Sequence, residues 1–168
     1  MNRGWSSPRN VTILVIVLAV VVIGGIFYWQ HRDTRSKQTI KVDTAIAQSE
    51  AAYSKGDFTN ALNLVGGMAE QATSGKQKAM VYQMQAQAAN SAAKYADAAR
   101  YYELKHLADS STAKSDAYTL GVIYERLGQK DKALAQYRLA LEYANGRKNR
   151  YGSDAPAVQA AIDNLEHK

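Results

Sequence analysis

The pattern of apolar and polar residues divides the chain into an apolar N-terminal part and a longer amphipathic part. The run Val11–Trp29 contains no charged residue, and Thr12 is its only clearly polar side chain. A helix rises ~1.5 Å per residue, so this run covers roughly 28 Å, close to the ~30 Å hydrocarbon core of a bilayer. The pattern predicts a transmembrane helix at 11–29, with a short N-terminal tail at 1–10 and a basic juxtamembrane linker at 30–41.

The main alternative for the apolar run is a cleaved secretory signal. Such a signal has a shorter apolar region followed by small residues at the cleavage site, whereas this run ends in Tyr28, Trp29 and then Arg32. A retained single-pass anchor is therefore the favoured interpretation, with the lipid bilayer as a partner of 11–29. The basic residues on its two sides differ by only about one charge, so the side of the membrane that holds the C-terminal part stays open.

Beyond the linker the chain is alanine-rich, has helical periodicity and repeats internally. Small residues recur at two offsets about 35 residues apart along the chain, and glycine or alanine marks the turns between them. Helices that cross at ~8–10 Å need small side chains at the contact, so this spacing predicts closely packed helix pairs. The small residues are Ser49, Ala86 and Gly121 at the first offset, and Ala61, Ala98 and Ala133 at the second.

This pattern resembles the tetratricopeptide repeat (TPR), whose units of about 34 residues are pairs of antiparallel helices. The resemblance covers three units, at 42–75, 79–112 and 114–145. It rests on Ser49, Gly56, Phe58 and Ala61 in the first unit, on Ala86, Tyr95, Ala98 and Tyr102 in the second, and on Gly121, Tyr124, Gly128, Ala133, Tyr137 and Ala140 in the third. Two departures are visible. Lys105 stands where the family has a small residue, and Gly66–Gly67 interrupts the second helix of the first unit.

The predicted fold class is all-α: an N-terminal transmembrane helix followed by an α-solenoid of about three TPR helical hairpins over 42–144. A further helix is predicted at 153–168, because Val158, Ile162 and Leu165 form one apolar stripe. This helix is interpreted as a cap on the last repeat, and a partner-binding helix is the alternative.

Composition removes most catalytic possibilities. The chain has no cysteine, and its three histidines, His31, His106 and His167, are scattered without metal-ligand spacing. No glycine-rich loop has phosphate-binding spacing, and the acidic residues occur at ordinary helix-surface intervals. We therefore expect a protein that is not an enzyme, with no catalytic, cofactor-binding or metal-binding residues and no small-molecule substrate.

The net charge of +6 initially suggests a nucleic-acid partner, but its distribution argues against one. Residues 1–41 hold about five of the six excess positive charges, which leaves the repeat region nearly neutral. No basic stripe interleaved with aromatic residues is evident, so nucleic acid is not expected as a partner.

The TPR resemblance implies a concave groove lined by the first helix of each unit, which would receive a peptide segment or a helix of a partner protein. Residues that strip the charge from a C-terminal carboxylate in related clamps are missing here, apart from Asn90 and Arg126. The implied groove positions are Asp43, Ile46, Glu50, Tyr53, Gln83, Gln87, Asn90, Tyr118, Val122, Glu125 and Arg126.

The sequence therefore predicts a non-enzymatic, membrane-anchored TPR adaptor that mediates protein–protein interaction through this groove. The alternative is a permanently packed structural subunit of a larger membrane, secretion or envelope assembly. In both interpretations the localisation is a single-pass membrane protein with an N-terminal anchor.

Overall fold

A computed structural model describes the backbone of residues 8–146 and 154–167, and side chains from residue 16 onward within these ranges, except Asp154. All regular secondary structure in these ranges is helical, which confirms the all-α part of the prediction for the described residues. The tail at 1–7, the basic loop at 147–152 and Ser153 lie outside them. The helices are α1 Pro8–Ser54, α2 Phe58–Leu64, α3 Gly75–Ser91, α4 Tyr95–Ala108, α5 Ala113–Arg126, α6 Lys130–Gly146 and α7 Asp154–Glu166, with a short 3₁₀ turn at Ser110–Thr112.

Helix α1 continues through the predicted linker at 30–41. Its polar side chains support the helix locally, since the hydroxyls of Thr34, Ser36 and Thr39 each donate to the carbonyl four residues earlier. Lys37 and Asp33 form an i,i+4 ion pair of 2.7 Å. The segment is therefore helix, where the sequence pattern predicted a linker between two elements.

The predicted transmembrane helix at 11–29 is wrong, and so is the single-pass membrane localisation that depends on it. Within the described residues, no helix combines the length and the apolar character that a membrane span requires. The described apolar side chains of α1 begin at Ile16 and end at Trp29, followed by Gln30, His31 and Arg32. At ~1.5 Å per residue they cover roughly 21 Å, less than the ~30 Å of a hydrocarbon core.

Residues 41–168 are grouped in one compact unit, in which the helices follow one another as antiparallel neighbours. The C-terminal part of α1 pairs with α2, α3 pairs with α4, α5 pairs with α6, and α7 packs on α6. Neighbouring pairs are joined by contacts of α2 with α3 and of α4 with α5. The first pair is the shortest because α2 ends at Leu64, just before Gly66 and Gly67.

The turns inside the three helix pairs share one backbone geometry. The central residue is in the left-handed region, with φ of 80° at Gly56, 58° at Ala93 and 69° at Gly128. In each turn its N–H donates to the carbonyl three residues earlier, and the next N–H donates to the carbonyl five residues before it. This is the Schellman arrangement, which satisfies the last carbonyls of a helix and reverses the chain.

The helices of each pair approach closely where the sequence places small residues. Ser49, Ala61, Ala86, Ala98, and Ala133 are all fully buried. Ser49 also donates from its hydroxyl to the carbonyl of Ala61 at 2.7 Å, which bonds α1 to α2. In the third pair the approach is closest, because a Cβ on Gly121 would lie 2.6 Å from two ring carbons of Tyr137.

One apolar core extends from α3 to α7, and two smaller clusters lie between the first pair and α3. The aromatic residues Tyr102, Tyr124 and Tyr137 supply the largest side chains of the main core. Helix α7 buries Val158, Ile162 and Leu165 in the same core, where they cover α6.

Substitution of Gly121 by alanine tests the close approach of α5 and α6. The added methyl group would overlap the buried ring of Tyr137, so we expect a loss of about 1–2 kcal/mol in the free energy of unfolding, even though alanine favours helix. Gly146→Ala is the matched control, since a Cβ there meets no atom within 4 Å. Urea unfolding of the three proteins measures the difference, and equal stability of Gly121→Ala and the parent would contradict the steric account.

Substitution of Ala93 by glycine tests the shared turn geometry in the opposite direction. Alanine in the left-handed region costs about 1–2 kcal/mol, part of which is returned as the greater entropy of glycine in the unfolded chain. We therefore expect Ala93→Gly to raise the free energy of unfolding by about 0.5–1 kcal/mol, and Gly128→Ala to lower it by about 1 kcal/mol. Changes of the same sign in the two variants would show that the turns do not have this geometry.

Candidate protein interface

The predicted groove residues of α1 have different environments. Ile46 is 5% exposed and packs in a core cluster with Val65 and Val81, so its side chain is not available to a partner. Glu50 is exposed, whereas the hydroxyl of Tyr53 hydrogen-bonds with that of Ser91 on α3 at 2.9 Å.

The last predicted position of α1, Asp43, also contacts α3. Its carboxylate accepts a hydrogen bond of 2.8 Å from Nε2 of Gln77. Together with Tyr53, it shows that much of the polar surface of α1 is used to attach α3 and does not form an open groove wall.

The predicted positions on α3 form one stripe on its surface. Gln83, Gln87 and Asn90 are half-buried, and they follow one another at i, i+4 and i+7 on the helix. Met80, three residues before Gln83, continues the stripe and is 39% exposed. The sequence analysis did not include Met80, although its i−3 spacing from Gln83 was a signal that could have found it.

The predicted positions on α5 surround one exposed aromatic residue. Tyr118 is 43% exposed, and its ring packs against that of Tyr137 with centroids 5.7 Å apart. Val122 is half-buried against the main core, and Arg126 is exposed at the end of the helix.

Glu125 holds this aromatic pair in place. Its carboxylate accepts a hydrogen bond of 2.9 Å from the hydroxyl of Tyr137, the ring on which Tyr118 rests. Burial, and then the hydrogen bond to this carboxylate, raise the pKa of Tyr137. Glu125 is therefore a positioning residue behind the exposed surface, where the sequence analysis placed it as a direct partner contact.

We use the term first-helix face for the accessible stripes of α3 and α5, formed by Met80, Gln83, Gln87, Asn90, Tyr118 and Val122. The face contains no charged side chain of its own and is bordered by Arg126 and Glu125 on α5.

The residues placed as structural parts of the repeats lie within or beside the core. Phe58 is half-buried and contacts the ring of Tyr53 at 5.2 Å, and Tyr95 packs on the main core. Ala140 is buried under α7. The hydroxyl of Tyr124 donates to Glu103 at 2.6 Å, which bonds α5 to α4; burial, followed by this hydrogen bond, raises the pKa of Tyr124.

Lys105, the departure from the small-residue pattern, is a buried cation between the second and third helix pairs. It is 3% exposed, and its Nζ lies 2.6 Å from Oδ2 of Asp116 on α5. Nε2 of His106 lies 3.1 Å from the same oxygen. Burial of Asp116 raises its pKa, but hydrogen bonds from His106 and Lys105 outweigh this and hold the pKa below the ordinary value.

Within the described residues, no group of three or more histidine, aspartate and glutamate side chains is arranged to hold a metal ion. The three ionisable groups around Asp116 are instead connected as an ion-pair cluster between helices.

No protein-family model matches the chain, and no curated protein matches it in sequence. The family resemblance therefore rests on this chain's own residues.

Replacement of Asp116 by asparagine tests the buried ion pair. The change leaves the Lys105 ammonium without a carboxylate in a buried site, so we expect a loss of about 3 kcal/mol in the free energy of unfolding at pH 7. Because the folded-state pKa of Asp116 is depressed, its contribution is present above about pH 4 and is lost as the pH falls through the folded-state value. The variant should lose this part of the pH dependence.

The matched control is Glu142→Gln, which removes an ion pair with Lys114 in which both side chains are more than half exposed. Exposed pairs contribute little, so this variant should stay within about 0.5 kcal/mol of the parent. Urea unfolding between pH 3 and pH 7 measures both effects, and a similar response of the two variants would contradict the buried-pair account.

Proposed function

We propose that residues 42–167 form a non-enzymatic protein-interaction module of the TPR type, which binds a peptide segment of a partner protein on the first-helix face. The helix pairs, the recurring Schellman turns and the small residues at the crossings support the resemblance. A repeat array of this kind presents its first helices along one surface, which suits recognition of an extended segment.

The observation that carries the proposal is the position of the exposed apolar side chains. Among the described residues after 41, the large apolar side chains that are exposed are Met80, Leu107 and Tyr118. Two of these three lie on the first-helix face, one on each of two helices of different pairs. Exposed apolar side chains rimmed by polar ones are characteristic of protein interaction sites, and aromatic residues contribute strongly to binding.

The charge distribution favours a peptide over a polyanion as the ligand. The segment 79–93, which includes the whole α3 stripe, contains no charged residue. The basic residues of the chain are concentrated before residue 42, outside the proposed module. Binding on this face therefore depends on apolar contacts and hydrogen bonds, with little electrostatic attraction.

A binding screen with the full 168-residue chain tests the proposal. We expect the protein to retain members of an immobilised library of 12-residue peptides, and fluorescence anisotropy then gives Kd for a retained peptide. Joint replacement of Met80 and Tyr118 by alanine should raise Kd by about tenfold or more, because both apolar contacts are lost.

Leu107→Ala is the matched control, since Leu107 is 84% exposed but lies on α4, away from the face. Its Kd should stay within about twofold of the parent. Failure to retain any peptide, or equal binding by the double variant, would overturn the proposed function.

A further inference from the structure

Helix α3 uses most of its circumference for contacts within the protein. Ala86 and Ala89 pack in the main core with Ala98 of α4. On the side of the first helix pair, Val81 and Met84 belong to the cluster that contains Val65. The surface that remains is the stripe of Met80, Gln83, Gln87 and Asn90.

The amide side chains of α3 are of two kinds. Gln77 donates to Asp43 at 2.8 Å and accepts from the backbone N–H of Thr73 at 2.9 Å, while Gln85 donates to the carbonyl of Val65 at 3.2 Å. These two amides connect α3 to the first helix pair and to the loop before it.

The other three amides, Gln83, Gln87 and Asn90, make no such connection. None of their side chains hydrogen-bonds to another residue in the part of the chain that the structure describes. We call these three residues the amide stripe. Each offers one carbonyl oxygen and one NH₂ group, so each can accept from an N–H and donate to a C=O at the same time.

The spacing of the amide stripe matches that of an extended polypeptide. Gln83 and Gln87 are separated by a rise of about 6 Å along the helix, at ~1.5 Å per residue. In an extended chain, backbone groups that point to the same side recur every second residue, about 6.7 Å apart. The difference is within the reach of a glutamine side chain, which has three rotatable torsions. Asn90 adds a third amide one turn further.

We propose that the amide stripe binds the backbone of an extended, uncharged peptide segment that lies lengthwise along α3, with Met80 in contact with an apolar side chain of that segment. The inference rests on the proposed function and adds to it the orientation and the chemistry of the ligand. Met80 suits the second role because its flexible thioether adapts to apolar groups of different shape. The absence of charge from 79–93 disfavours an acidic or basic segment at this position.

Backbone recognition has a direct test in modified peptides. For a 12-residue peptide retained by the full-length protein, single N-methyl groups are introduced at each position in turn, and Kd is measured by fluorescence anisotropy. Methylation removes the donor, so we expect Kd to rise about tenfold at two or three positions of alternating spacing and to change little at the positions between them.

The protein side of the contact is tested with Gln83→Met together with Gln87→Met. Methionine keeps the length and the helix propensity of glutamine but removes its donor and acceptor, so we expect Kd to rise about tenfold with little change in folding. Gln136→Met is the matched control, because Gln136 is also half-buried but lies on α6. Its Kd should equal that of the parent, and thermal unfolding monitors the fold of all variants.

The two proposals fail in different ways. A peptide that binds the parent and the Gln83, Gln87 double variant equally, or that tolerates N-methylation at every position, overturns the amide-stripe inference alone, provided that the Met80, Tyr118 variant still loses binding. Absence of any retained peptide overturns the proposed function and, with it, the amide-stripe inference.

Discussion

The close approach of paired helices is the constraint on which the rest of the structure depends. Small buried residues at the crossings, such as Ser49 with Ala61 and Gly121 against the ring of Tyr137, bring the two backbones together. The large tyrosines can then fill the space around each crossing, and the left-handed residue at each turn returns the chain at the correct point. Once these contacts are set, the outward faces of α3 and α5 follow from the helical periodicity, and so does the set of residues that a partner can reach.

Lys105 shows how the array uses a departure from this rule. A lysine is large and charged, yet it is buried between the second and third pairs because Asp116 on the next pair compensates its charge. Buried ion pairs contribute less to stability than their distance suggests, because both groups lose their hydration, but either group alone is very unfavourable. The cluster with His106 therefore restricts how the two pairs can be arranged, since few arrangements would place a carboxylate against this ammonium group.

The first-helix face differs from a uniform groove. On α1 the polar residues Asp43 and Tyr53 attach α3, and on α5 Glu125 supports Tyr137 behind the exposed Tyr118. The accessible surface is therefore narrower than the set of positions that the repeat resemblance implies. It consists of an amide-rich stripe on α3 and an aromatic residue on α5, and its chemistry suits apolar contact and hydrogen bonding more than ion pairing.

The sequence by itself determined the local and periodic features of this protein. The helical class, the small residues at the crossings, the turn positions at Gly56 and Gly128, and the near-neutral charge after residue 41 could all be predicted, because each depends on neighbouring residues or on a regular spacing. The apolar run near the N-terminus was misinterpreted for the same reason: a pattern seen without its structural context predicted a separate membrane element, whereas α1 continues as one helix to Ser54. Only the tertiary structure decided that Ile46 is buried, that Lys105 meets Asp116 and that Glu125 supports a tyrosine, because these outcomes depend on residues that are distant in the chain and adjacent in space.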